Sequence, residues 1–268
     1  MRSRWQGVVA VAVSLVALDT DPASGWQQDA AVERGREIAV EADRRARGFG
    51  DYQAQMDMIL IDRRGKETLR ELELSVLEVS VDEEKSIVYF QSPRDIRGTG
   101  LLTYSYRDRD NEQWLYLPAL RRTKRISASG RSSPFMGSEF SYEDLVPAHV
   151  NQYEYRFVGE EECEESRCFV VERYPVYDGT GYSRQQMWID VVEYRVLRID
   201  SWDLRDRPVK TLRLSQYVKY LDRVWQPGEA RMVNLLTDGT TVLNWRDYRF
   251  GTGLRESDFT RAALARVR

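Results

Sequence analysis

Residues Tyr52 to Ile61 read YQAQMDMILI. Tyr52, Ala54, Met56, Met58 and Leu60 fall on one side of a pleated strand, and Gln53, Gln55 and Asp57 fall on the other. This period-two pattern predicts a half-buried strand, and the rest of the chain repeats its style. Arg63-Arg64-Gly65-Lys66 turns it into a long second strand, Thr68 to Val81. Ser86 to Gln91, Leu101 to Tyr106 and Gln113 to Leu117 follow. After an interruption the meander resumes with Gln152 to Val158, Cys168 to Tyr174, Arg184 to Asp190, Tyr194 to Asp203, Pro208 to Tyr220, Glu229 to Thr237 and Thr240 to Arg249. The connections carry turn residues, among them Asp178-Gly179-Thr180-Gly181, Gln226-Pro227-Gly228 and Asp238-Gly239.

Helical patterning is scarce. Asp29 is placed to cap a helix running to about Arg47, with Ala31, Val32, Gly35, Ile38, Ala39, Ala42 and Ala46 as a stripe of mostly small residues. Ser257 is placed to cap a last helix, Asp258 to Val267. About eleven consecutive antiparallel strands with so little helix predict a mainly β chain built on a single strongly curved sheet. Such a sheet, thinly covered on its concave side, leaves a cavity.

Composition narrows the function. The chain has 268 residues, 31% of them charged, which excludes an integral helical membrane protein. The formal net charge of -3 disfavours non-specific nucleic-acid binding, so no nucleic-acid partner is expected. The first residues resemble a secretory leader. Arg2 and Arg4 precede an apolar run, Gly7 to Leu18, too short to span a bilayer, and Ala23-Ser24-Gly25 offers a cleavage site before Trp26. The expected organisation is a leader at residues 1–25 and a single exported domain at 26–268. Asp19 and Asp21, between the run and the site, leave open an uncleaved anchor or a buried helix. Cys163 and Cys168 flank Glu-Glu-Ser-Arg between two strand-like runs, where a hairpin brings them within bonding range; we read a disulfide rather than half of a metal site.

The interruption, PALRRTKRISASGRSSPFMGSEFSYEDL from Pro118 to Leu145, is the least routine stretch. A basic strand-like run (Arg121, Arg122, Lys124, Arg125) enters a Ser/Gly loop, then Phe135-Met136, then an aromatic-acidic string. The basic run suits an edge strand protected by charge, or a site for anionic headgroups or an acidic partner. Phe135 and Met136 suit either a core plug or a lid sliding over apolar ligand surface. No catalytic constellation accompanies them. The one histidine, His149, stands in a loop without a nucleophile, there is no Gly-x-Ser-x-Gly elbow and no phosphate-binding glycine loop, and no metal or cofactor is expected.

Several motifs together resemble one family. Trp114-Leu115-Tyr116-Leu117-Pro118-Ala119-Leu120-Arg121-Arg122, Gly137-Ser138-Glu139-Phe140-Ser141-Tyr142-Glu143-Asp144-Leu145, Trp188-Ile189-Asp190 with Val196-Leu197-Arg198-Ile199, and Asp258-Phe259-Thr260 are similar to the outer-membrane lipoprotein-sorting proteins related to the LolA/LolB carriers. The resemblance implies an open, incomplete β-barrel of about eleven strands, capped by helices and a loop. It implies a non-enzymatic periplasmic carrier of lipoprotein acyl chains or other lipid, making transient membrane contact and in some branches working beside an RND-type inner-membrane exporter. The alternative it carries is a lipid-sensing envelope regulator that docks on a membrane partner. On this fold we expect the cavity and lid to be formed by Met56, Met58, Leu60, Phe90, Tyr104, Trp114, Tyr116, Phe135, Met136, Phe140, Trp188, Leu212, Leu214 and Met232, and headgroup or partner contact to come from Arg121, Arg122, Lys124 and Arg125.

Overall fold

A computed structural model describes residues 22–163 and 166–266. Helix α1 (Pro22–Ala46) precedes six strands: β1 (Asp51–Ile61), β2 (Glu67–Ser80), β3 (Glu83–Ser92), β4 (Gly100–Tyr106), β5 (Glu112–Leu117) and β6 (Arg122–Arg125). A long crossing segment, residues 126–152, leads to β7 (Tyr153–Cys163), β8 (Ser166–Pro175), β9 (Tyr182–Asp190), β10 (Val196–Asp203) and β11 (Pro208–Ser215). A small hairpin, β12 (Val218–Tyr220) and β13 (Val224–Gln226), precedes β14 (Glu229–Asn234), β15 (Thr240–Phe250) and the short α2 (Arg261–Leu264).

The main sheet has 13 strands, in the order β6-β5-β4-β3-β2-β1-β15-β14-β11-β10-β9-β8-β7, with the β12-β13 hairpin separate. Two meanders are thus welded where the first strand meets the last, with Met56 opposite Trp245 and Met58 opposite Leu243. β6 and β7 remain as unjoined ends, so the sheet is open as expected. The strand count exceeds the expected eleven or so because the cationic run is itself the edge strand β6, paired to β5 with Leu115 opposite Lys124.

Three local expectations are corrected. α1 begins at Pro22, before Asp29. The predicted leader lies outside the described residues as far as residue 21, and residues 22–25 belong to α1. The last helix is capped by Thr260, whose hydroxyl accepts from the Ala263 N–H, and not by Ser257. The run from Pro208 to Tyr220 breaks at Gln216, which takes the left-handed conformation at φ 56° and turns the chain into the small hairpin. Cys163 and Cys168 form the expected disulfide, with Cα atoms 5.9 Å apart, joining β7 to β8 beside their turn.

The crossing segment acts as a strap through the hollow of the sheet. Phe135 and Phe140, 1% and 3% exposed, insert among Met56, Met58, Leu72, Phe90, Met232 and Leu243. The Phe135 ring centroid lies 5.7 Å from that of Phe90 and 5.6 Å from that of Tyr142. Polar bonds hold the strap on both meanders. Arg70 donates to the Met136 carbonyl at 2.6 Å, and Asn234 donates to Glu139 at 2.7 Å. Tyr182 donates to Asp144 at 2.8 Å, and Lys210 reaches the same carboxylate at 3.0 Å. These bonds satisfy a segment that would otherwise bury polar groups unpaired.

A candidate ligand cavity between helix and sheet

A cavity of about 340 Å³ lies between α1 and the second meander. Its roof follows from the small-residue stripe. Gly35 is buried, and a Cβ there would sit 2.7 Å from the Phe157 backbone nitrogen. The helix therefore rests directly on the backbone of β7, where the strand bulges between Phe157 and Gly159. Ile38 and Ala39 pack on Tyr153, Tyr155, Phe169, Val171, Met187 and Ile189. One turn on, the small side chains of Ala42 and Ala46 line the open space, which is the cavity. Phe49, Met187, Val196, Leu214, Tyr217 and Trp225 complete its apolar wall. The volume falls in the range of small-ligand sites.

The polar lining is held at the edges. Arg45 ion-pairs with Glu41 at 2.7 Å, donates to the Val192 carbonyl at 2.6 Å and lies 4.5 Å from the Tyr194 ring centre. Arg195 pairs with the buried Asp190 at 2.7 Å and lies 4.7 Å from the Trp225 ring centre. Arg173 donates to Gln185 at 2.8 Å over the ring of Tyr153. Guanidinium groups stacked in this way lay their stems along apolar wall while their charge stays at the rim. Burial alone would raise the Asp190 carboxyl, but the N–H groups of Glu193 and Val192, with Arg195, outweigh it and hold the group below the usual range. Glu84 goes the other way: burial pushes it to about 7 against the pull of Arg47.

His149 stands behind this wall, fully buried. Arg47 donates to its Nδ1 at 2.7 Å, and burial together with Arg47 lowers its pKa to about 4. The imidazole is neutral at physiological pH and serves as an acceptor that locks Arg47, whose other partner is Asp43 at 2.9 Å. Among the described residues that line the cavity there is no serine, threonine, cysteine or histidine, and no group of metal-binding side chains occurs among the described residues. The arrangement can enclose an apolar group beside charged side chains.

The expected ligand residues divide into several sets. Met56, Met58, Phe90, Phe135, Phe140 and Met232 are together, in the filled layer beneath the strap, with Leu60, Met136, Leu212 and Leu214 packed against it. Leu214 also reaches the open cavity. Tyr104, Trp114 and Tyr116 lie on the opposite face of the sheet, packed with Phe259 and Leu264. Trp188 points away from Met187; its indole N–H donates to Glu161 at 2.9 Å, with Arg198 stacked on the ring. Arg121, just before β6, and Arg122, Lys124 and Arg125 on β6 are all exposed, and Arg125 pairs with Glu112 at 2.6 Å. Sequence reasoning missed Tyr155, Tyr217 and Trp225; the sign that pointed nearest them was the alanine stripe of α1.

Comparison with known proteins agrees with this architecture. A family model described only as "uncharacterized protein" matches residues 82–266. A domain from Vibrio parahaemolyticus, described as outer membrane lipoprotein-sorting, is 40% identical over 88% of this chain and all of its own, with a TM-score of 0.86. A DUF1329 family protein from Desulfovibrio piger is 32% identical over 87% of this chain and 99% of its own, with a TM-score of 0.82. A LolA superfamily protein from Nitrosomonas europaea shares the fold at 19% identity, with a TM-score of 0.69 over 85% of this chain and 98% of its own. Among curated proteins there is no match. The chain therefore belongs with the outer membrane lipoprotein-sorting and DUF1329 family proteins, and with the LolA superfamily protein it shares the fold.

Proposed function

We propose that this protein is a non-enzymatic periplasmic carrier that takes an acyl chain of a lipoprotein or lipid into the cavity beneath α1. Its cargo is bound for the outer membrane, or is exchanged with an RND-type exporter in the inner membrane. The observation that carries the reading is a cavity of about 340 Å³ roofed by Ala42 and Ala46, walled largely by apolar side chains and edged by arginines. Each methylene taken out of water is worth about 0.8 kcal/mol, so a soluble carrier must offer a comparable apolar interior to draw a chain from a bilayer. The family relationship supports the same assignment. A cavity-filling variant tests it: Ala42→Trp is expected to weaken binding of a fluorescent fatty-acyl probe at least about tenfold while the fold persists, since a filled cavity leaves no apolar area to cover. Equal binding by the variant would remove the cavity from the account.

A further inference from the structure

A row of polar side chains crosses the inner face of the second meander. Strand register sets Arg173 opposite Gln185, Gln185 opposite Ser201, Ser201 opposite Lys210 and Lys210 opposite Asn234. Each stands two residues from an apolar position of the same face, namely Val171, Met187, Ile199, Leu212 and Met232. Acids of the strap take one end of the row. Lys210 reaches Asp144, and Asn234 donates to Glu139. In the middle, Gln185 and Ser201 are buried and bond each other, with the Gln185 amide donating to the Ser201 hydroxyl at 2.9 Å. Arg173 holds the other end, and no acid meets it. Its Nε donates to Gln185 at 2.8 Å, and it makes no ion pair among the described residues.

Arg173 stands at a junction. It lines the cavity beneath α1 and also a second space of about 60 Å³ under the strap. The carboxyl groups around these two spaces are otherwise engaged. Asp43 pairs with Arg47 and Arg107, and Asp144 with Lys210. Glu143 accepts from the Gly181 N–H at 2.9 Å and from the Tyr177 hydroxyl at 3.1 Å. Glu193 lies 3.8 Å from Lys219, and burial pushes Glu84 up to about 7. Tyr155, opposite Arg173 in register, lines the cavity as well. Its hydroxyl makes no hydrogen bond among the described residues, and burial pushes its pKa up, so it remains a donor. The Arg173 guanidinium is fixed at Nε by a buried amide and lies 4.4 Å from the Tyr153 ring centre, which leaves the fork of its terminal nitrogens for a planar oxyanion. A wall for hydrocarbon alone needs no such group.

We infer that Arg173, with the Tyr155 hydroxyl opposite it, binds the oxyanion end of an acyl guest, the carboxylate of a fatty acid or the phosphate of a single-chain phospholipid. The inference rests on the carrier reading and names the chemistry of the guest's polar end. Fluorescence titration of the purified protein with dansyl-undecanoic acid and with its methyl ester tests it, since the two probes share tail and fluorophore and differ in charge. The wild type is expected to bind the acid about tenfold or more tighter than the ester, the gain from a charge-assisted pair. Arg173→Gln is expected to erase that preference, and Arg173→Lys to keep part of it, because the charge stays and the fork is lost. Thermal unfolding checks that both variants remain folded. Competition by palmitate and by lysophosphatidate tells which oxyanion the fork prefers, and displacement by neither would overturn the inference. Equal binding of acid and ester by the wild type, or an Arg173→Gln protein that keeps the preference, would overturn it too and leave the carrier reading standing. Binding of neither probe would remove both.

Discussion

Phe135 occupies space that an empty half-barrel would leave to a ligand. Its ring is buried among Met56, Met58, Phe90 and Met232, and it is carried in by a strap bonded to both meanders. It is a plug for one layer of the hollow, and the open volume lies elsewhere. Phe135→Ala is expected to cost about 3–5 kcal/mol, the loss for a buried aromatic whose site cannot collapse. Urea unfolding measures it, and a cost below ~1 kcal/mol would mean that the strap does not depend on the plug. The sequence made Phe135 conspicuous but left open whether it was a plug or a lid. The difference depends on which sheet residues face it, and these come from strands far apart in the chain.

At the scale of elements, α1 is the piece that makes the cavity. Its small residues serve two ends: Gly35 allows contact with the backbone of β7, and Ala42 and Ala46 leave space beyond that contact. Gly35→Val puts branched carbons where even a single Cβ would be 2.7 Å from the Phe157 nitrogen. We expect it to cost about 1–3 kcal/mol by overpacking and to weaken acyl-probe binding as the roof lifts. An unchanged urea midpoint together with unchanged binding would show that the helix does not set the cavity.

Strands were legible in the sequence where one face is buried. β1 alternates strictly, and its buried positions Tyr52, Ala54, Met56 and Met58 were assigned correctly to one face. β4 and β5 are buried on both faces, so period two fades there. That is why Tyr104, Trp114 and Tyr116 were grouped with the hollow although they lie on the outer face under Phe259 and Leu264. The cationic run was read as an edge strand among other uses, and it is one. The position of the cavity was not legible, because it follows from where a helix rests on a strand more than a hundred residues away in sequence.

For the whole molecule, the topology makes one hollow that is partly filled and partly open. Joining β1 to β15 welds the meanders into one open sheet, the strap fills the hollow between its free edges, and α1 roofs the space that remains. In this LolA-like fold part of the hollow is sealed by the chain's own strap, and about 340 Å³ stays open beneath α1. The most direct test is mass spectrometry of lipid extracted from the gently purified protein, compared with the Ala42→Trp variant. The account predicts fatty-acyl species in stoichiometric amount on the wild type and their loss from the variant. A wild-type protein that carries no acyl species and takes none up on incubation with lipid would contradict it.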